Sequence, residues 1–256
     1  MQHNKIFIIV SFLLAAVVIV SGCSVAAAPV APTARQVELE FVTHVTAELP
    51  EQDVYVVKPG ETGRVYRIEA TEAADYLTAP VYAAAEAVEH DPFVLGESPY
   101  GPYRQGGELG FTLGEWLAGT GHGAYTVHGD QAELDLSFEN LVPDGVYTVW
   151  CATLYVPPDT RIVDEPCGAA DGSENTFVAN PQGKTRFYLP LPTLTDSTDD
   201  VVKMIALAYH SDGRTYGPSP GDFGLNSHVQ LFFGLPPVES EAWHLVTDAE
   251  LAAAKN

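Results

Sequence analysis

Seven consecutive residues, Ala132-Glu133-Leu134-Asp135-Leu136-Ser137-Phe138, alternate apolar and polar without a break. A strand turns successive side chains to opposite faces, so this run has one apolar face and one wet face. Sliding it by one residue would bury two carboxylates, so the register is firmly set. Gly129-Asp130 precedes it, and Ala124 to His128 lies before that, which predicts a hairpin. Val146 to Val156, Thr185 to Leu189, Val201 to Tyr209 and His228 to Phe233 read as further strands, parted by turns such as Pro143-Asp144-Gly145 and Ser211-Asp212-Gly213. Short strands with turn signals and few helices predict a mainly β fold, an antiparallel β-sandwich of Ig-like or superoxide-dismutase-like Greek-key kind.

The segment ahead of these strands is more mixed. Val37 to Phe41 alternates, and Val54 to Val57 with Val65 to Ile68 flanks Pro59-Gly60, which predicts a hairpin. Pro80 to Glu89 is rich in Ala and preceded by Thr78, so it reads as a helix. Residues 91–111 are dense in Gly, Pro and aromatics and read as a surface connector, and residues 157–183 as a long loop. Thr112 and Glu115 form a capping-box pattern ahead of Trp116, and Thr247 with Glu250 forms a second one. The expected division is a leader over 1–22, a spacer over 23–36, an extension over 37–111 and the sandwich core over 112–256.

The N-terminus has a pattern of its own. Lys5 precedes an apolar run from Ile6 to Val20, shorter than the roughly twenty residues that cross a bilayer. The run ends in Val20-Ser21-Gly22-Cys23. This tetrad resembles the lipobox of bacterial lipoproteins. The resemblance implies cleavage before Cys23, lipid attachment on that cysteine, and a place in the cell envelope outside the cytoplasm, in the periplasm or at the cell surface. Ser24 follows, where the sorting rules of such lipoproteins would read Asp as an inner-membrane signal. Ser24 to Arg35 is small and proline-containing, a semi-flexible spacer of roughly 40 Å when extended.

Only Lys5 among the charged residues leaves with the leader, so the mature chain carries 11 Lys and Arg against 34 Asp and Glu. That balance argues against nucleic acid as a partner and against electrostatic docking on anionic lipid. Membrane association would come through the lipid alone. The two remaining cysteines, Cys151 and Cys167, are an even pair in an exported chain, which predicts a disulfide. The alternative is a thiolate metal site, for which the spacing is unlike a zinc or redox pattern.

Candidate chemistry is sparse. Gly217-Pro218-Ser219-Pro220-Gly221 has the letters of a hydrolase nucleophile elbow. Pro220 follows the serine, however, and has no N–H to give an oxyanion. Asp171 to Asn175 offers alternating oxygens but lacks the glycine and the bidentate acid of a helical calcium loop. Tyr100, Tyr103 and Arg104 are recognition-type residues for a protein or carbohydrate ligand, or aromatics that pin loops to the sandwich. The expected role is therefore binding or structural, without catalysis and without a cofactor. The alternative from another class is a metal protein or metal-dependent enzyme, with copper, zinc or calcium held by histidines gathered across the sandwich: His122, His128, His210 and His228.

Overall fold

The computed structural model describes residues 34–50, 52–90, 99–155 and 161–235. The leader, Cys23, the terminal capping box at Thr247 and most of the spacer lie outside these residues. In chain order the elements are β1 (Arg35–Phe41), β2 (Arg64–Val65), α1 (Ala73–Tyr76), β3 (Pro80–Ala84), β4 (Tyr103–Thr112), α2 (Leu113–Leu117), β5 (Thr120–His128), β6 (Gln131–Glu139), β7 (Val146–Tyr155), β8 (Arg161–Pro166), β9 (Thr176–Val178), β10 (Thr185–Pro192), β11 (Val201–His210) and β12 (Ser227–Gly234).

The fold is mainly β, with antiparallel sheets and two short helices. One sheet runs β1-β5-β6-β10 and the other β12-β11-β7-β8, with β9 also on β7. A small third sheet runs β2-β4-β3. The first sheet contributes Leu39, Tyr125, Leu134, Leu136 and Phe187 to the core, and the second contributes Tyr147, Val149, Ile205, Leu207 and Leu231. The alternating run sits as its pattern requires: Ala132, Leu134, Leu136 and Phe138 are buried, while Glu133, Asp135 and Ser137 reach solvent.

β7 and β11 do not alternate, and the structure gives the reason. Their second face is covered as well. Trp150, Ala152, Leu154, Met204 and Ala206 form a separate apolar cluster on the outside of the second sheet, with Leu49, Val229 and Phe232. A strand buried on both faces reads as a continuous apolar run. The disulfide Cys151–Cys167 joins β7 to the residue after β8, with Cα atoms 5.0 Å apart.

Several expectations are corrected. Pro80 to Glu89 is not a helix; its first half is β3, and the neighbouring helix is the single turn of α1. Backbone approaches backbone here: a Cβ on Gly106 would collide with the Ala84 carbonyl. Tertiary contact here overrides helix propensity. The expected connector over 91–111 contains the ten-residue strand β4, and the expected loop over 157–183 contains β8 and β9. β1 pairs with β5 along its whole length, in the first sheet. The hairpin expected over 54–68 is reduced to one reciprocal pair of backbone bonds, Val56 with Tyr66 at 3.0 and 2.9 Å. The capping box at Thr112 and Glu115 opens α2, with both of its bonds formed.

Candidate functional site

The outer face of the second sheet is covered by three short segments, and each brings one ionisable side chain. The chain leaves β1 through Val42, which exchanges backbone bonds with Phe232 at 3.0 and 2.9 Å. It then tightens into a turn, closed by the Ala47 and Leu49 N–H groups on the Thr43 and His44 carbonyls and by Thr43 Oγ1 on the Thr46 N–H. This turn buries His44. Asp53 comes next, one of the most buried groups in the protein at 1 % exposure. His90 ends the stretch after β3, where the Val88 N–H bonds the Phe223 carbonyl and the His90 ring stacks on Phe223 at 3.9 Å.

The three groups meet. His90 Nδ1 lies 3.1 Å from Asp53 Oδ1. One ligand-capable atom from each of His44, Asp53 and His90 lies within 4.8 Å of the others, and this is the one such group of three among the described residues.

The second sheet supports them through a bulge. Between Leu207 and Ala208 the register of β12 slips, so that Val229 pairs with Ala208 and Leu231 with Leu207. The extra residue, Gln230, turns inward and bonds the Tyr147 hydroxyl and the Trp116 carbonyl. Bulges re-aim side chains and backbone beside functional sites. Here the bulge puts Val229 on the outer face. Its N–H donates to Asp53 Oδ2 at 2.9 Å. His228 adds a bond from Nδ1 to the Asp53 carbonyl at 2.7 Å.

A second support is Arg67, whose buried guanidinium has no carboxylate partner among the described residues. Nε donates to the Gln52 carbonyl, and Nη2 to the Glu89 carbonyl, each at 2.8 Å. One planar cation therefore ties together the residues immediately before Asp53 and before His90. Nη1 extends the clamp to the Pro99 carbonyl and the Tyr103 hydroxyl.

Burial sets the protonation. It pushes His44 down to about 4, against the opposing pull of Asp53, so this imidazole is neutral at neutral pH. Burial alone would raise the Asp53 carboxyl. The His90 charge and hydrogen bond, His44 and the Val229 N–H outweigh it and hold Asp53 below the usual carboxylate range.

His44 and His90 form one wall of a pocket with a cavity volume of about 40 Å³, floored by Trp150, Leu154, Met204, Ala206 and Phe232. It opens past His90, Ile162, Asp164 and Phe223 into a wider depression of about 430 Å³ edged by Glu89 and Asp222. Small-molecule sites usually enclose roughly 300–1,000 Å³, so the apolar pocket alone would hold only a small group, and the rest of a ligand would lie in the outer depression.

The residues singled out from the sequence fall elsewhere. His122 and His128 are exposed on β5. His210 is buried against Thr148, and His228 is fully buried between Asp53 and Ser211. The four do not form a common donor set; His228 supports the site from behind. Tyr103 is a partner of Arg67 and Pro99, Tyr100 is half-buried, and Arg104 is exposed beside Glu86 at 3.9 Å. The oxygens of the Asp171 loop are turned to their own backbone: Asp171 accepts from Ser173, and Glu174 from Ala169. Ser219 lies in a turn and accepts from the Gly221 N–H. His44 and His90 lacked any spacing signal, since they stand far apart in sequence and outside the regular strands.

No protein-family model, no curated protein and no solved structure matches the chain.

Proposed function

We propose that this protein is a lipid-anchored, extracytoplasmic β-sandwich that binds a small, largely apolar molecule on the outer face of its second sheet. The observation that carries the binding role is the pocket itself: an apolar floor, an ionisable wall at His44 and His90, and an open mouth. Anchoring rests on the Val20-Ser21-Gly22-Cys23 tetrad and the apolar run before it. An anchor carrying two or more acyl chains is stable where one chain is marginal. Placement outside the cytoplasm also agrees with the Cys151–Cys167 bridge.

Two measurements test the reading. Cys23→Ala should stop labelling by a fatty-acid probe and release the protein from membranes; unchanged labelling refutes the anchor. A panel of fluorinated aromatic fragments, followed by ¹⁹F NMR, should include saturable binders to the wild-type protein. Ala206→Leu places extra methyl groups in the cavity and should remove that binding while the fold is kept. Fragments that bind both proteins equally, or neither, refute the pocket assignment.

A further inference from the structure

We propose that His44, Asp53 and His90 form a metal site for a divalent transition-metal ion, zinc by its chemistry, with the ion's remaining coordination facing the pocket.

The donor set is two imidazoles and one carboxylate, a borderline nitrogen and oxygen set that suits zinc over calcium or magnesium. The spacing fits. Ligand atoms about 2.0 Å from a tetrahedral ion lie roughly 3.3 Å apart. His90 Nδ1 and Asp53 Oδ1 already stand 3.1 Å apart. All three donors lie within 4.8 Å of one another, so the set closes on an ion by side-chain movement of about an ångström.

A second observation is independent of the cluster. Metal-bound imidazoles and carboxylates are held by outer hydrogen bonds that fix their orientation. Val229 supplies this support through its N–H to Asp53 Oδ2, and His228 Nδ1 holds the Asp53 carbonyl. That leaves Asp53 Oδ1 to the cluster. Arg67 fixes the backbone before Asp53 and before His90. A third observation is access. Both imidazoles line the pocket, so an ion held by three protein donors keeps an open position toward it. Open positions of this kind accept water or a ligand head group.

The inference concerns the wall of the pocket proposed above, yet the two fail separately, because fragment binding and metal binding are read by different measurements. The test is metal analysis of the full mature protein, purified without a polyhistidine tag, together with titration by cobalt(II) as an optical stand-in for zinc. The expected result is one equivalent of zinc retained on purification, and a saturable cobalt spectrum at one equivalent. X-ray absorption of the zinc form should show imidazole scattering and no sulfur. His90→Phe keeps the ring stack on Phe223 and should weaken binding at least a hundredfold, as should Asp53→Asn, with the circular dichroism of the sandwich unchanged. His122→Ala and His128→Ala should change nothing. Wild-type protein that binds no ion at equimolar zinc overturns the proposal. So does an X-ray absorption spectrum without imidazole, a measurement that does not depend on any variant folding. Loss of binding in the His122 or His128 variants alone would also overturn it, by moving the ion to the sandwich surface.

Discussion

His210 makes the protein's stability depend on pH in a way that can be isolated. It ends β11 at 1 % exposure, with Nε2 2.7 Å from the Thr148 hydroxyl. That hydroxyl also accepts from Trp150 Nε1 at 2.7 Å. The ring is cut off from water, which favours its neutral form. Nδ1 has no partner among the described residues. Burial, against Asp212 and helped by the charge of His228, pushes the imidazole down from 6.5 to about 4. The sign follows from the folded value lying below the unfolded one. As pH falls from above 6.5 toward 4, the unfolded chain takes up the proton first, so stability is present above that window and lost within it.

At pH 5 the unfolded imidazole is almost fully protonated and the folded one only about a tenth so. The cost between pH 7 and pH 5 is about 2 kcal/mol. That is a large part of a typical domain's stability of roughly 5–15 kcal/mol. His210→Gln keeps a polar partner for Thr148 and removes the titration. Urea unfolding, followed by tryptophan fluorescence with a chelator present, should show the wild-type protein losing about 2 kcal/mol more than His210→Gln between these two pH values. His44 titrates in the same window but is present in both proteins, so it cancels. Parallel losses in wild type and variant would refute the reasoning and mean that His210 is protonated, or rehydrated, in the folded state.

Reducing Cys151–Cys167, which closes a sequence separation of 16, should cost about 3 kcal/mol in urea, and the linked peptides should be found by non-reducing mass spectrometry. Leu136→Ala empties a fully buried site in β6 and should cost roughly 3–5 kcal/mol. Asp135→Ala removes only the exposed pair with Arg186 and should leave the urea midpoint unmoved; the reverse outcome would invert the register of β6. Arg67→Met leaves the Gln52 and Glu89 carbonyls without their donor and should cost at least about 2 kcal/mol, with the His90 ring signals in NMR losing their dispersion as Asp53 and His90 come out of register.

The strands of the first sheet were legible because that sheet is wet on one side, and the alternation of Ala132 to Phe138 states which side. β7 and β11 were legible as strands but not as strands covered twice, because an apolar run does not say what covers its second face. Two of the misread segments share one cause. Pro80 to Ala84 carries alanines where backbone approaches backbone, and β4 carries Gly106 and Gly107, so neither has the β-branched pattern of an ordinary strand. These residues pack a small sheet against the sandwich, and their composition records closeness, not secondary structure.

The site was hidden for a related reason. His44, Asp53 and His90 sit in connections, where the local sequence follows no period, and they meet only because those connections cross the outer face of the second sheet. What brings them there is legible afterwards in residues that looked unremarkable. Gln230 is the extra residue of the β12 bulge, and without it Val229 would turn inward with Leu231. Its N–H would then leave Asp53 Oδ2. Arg67 is a cation bonded to three carbonyls and the Tyr103 hydroxyl, with no carboxylate partner among the described residues. A core built only for stability would place an apolar side chain there. Both features add constraint at the same three residues, on the one face of the sandwich where an apolar floor and an open mouth adjoin them. The irregular region is thus held by hydrogen bonds from Arg67, Val229 and His228, the preorganisation that the proposed site requires.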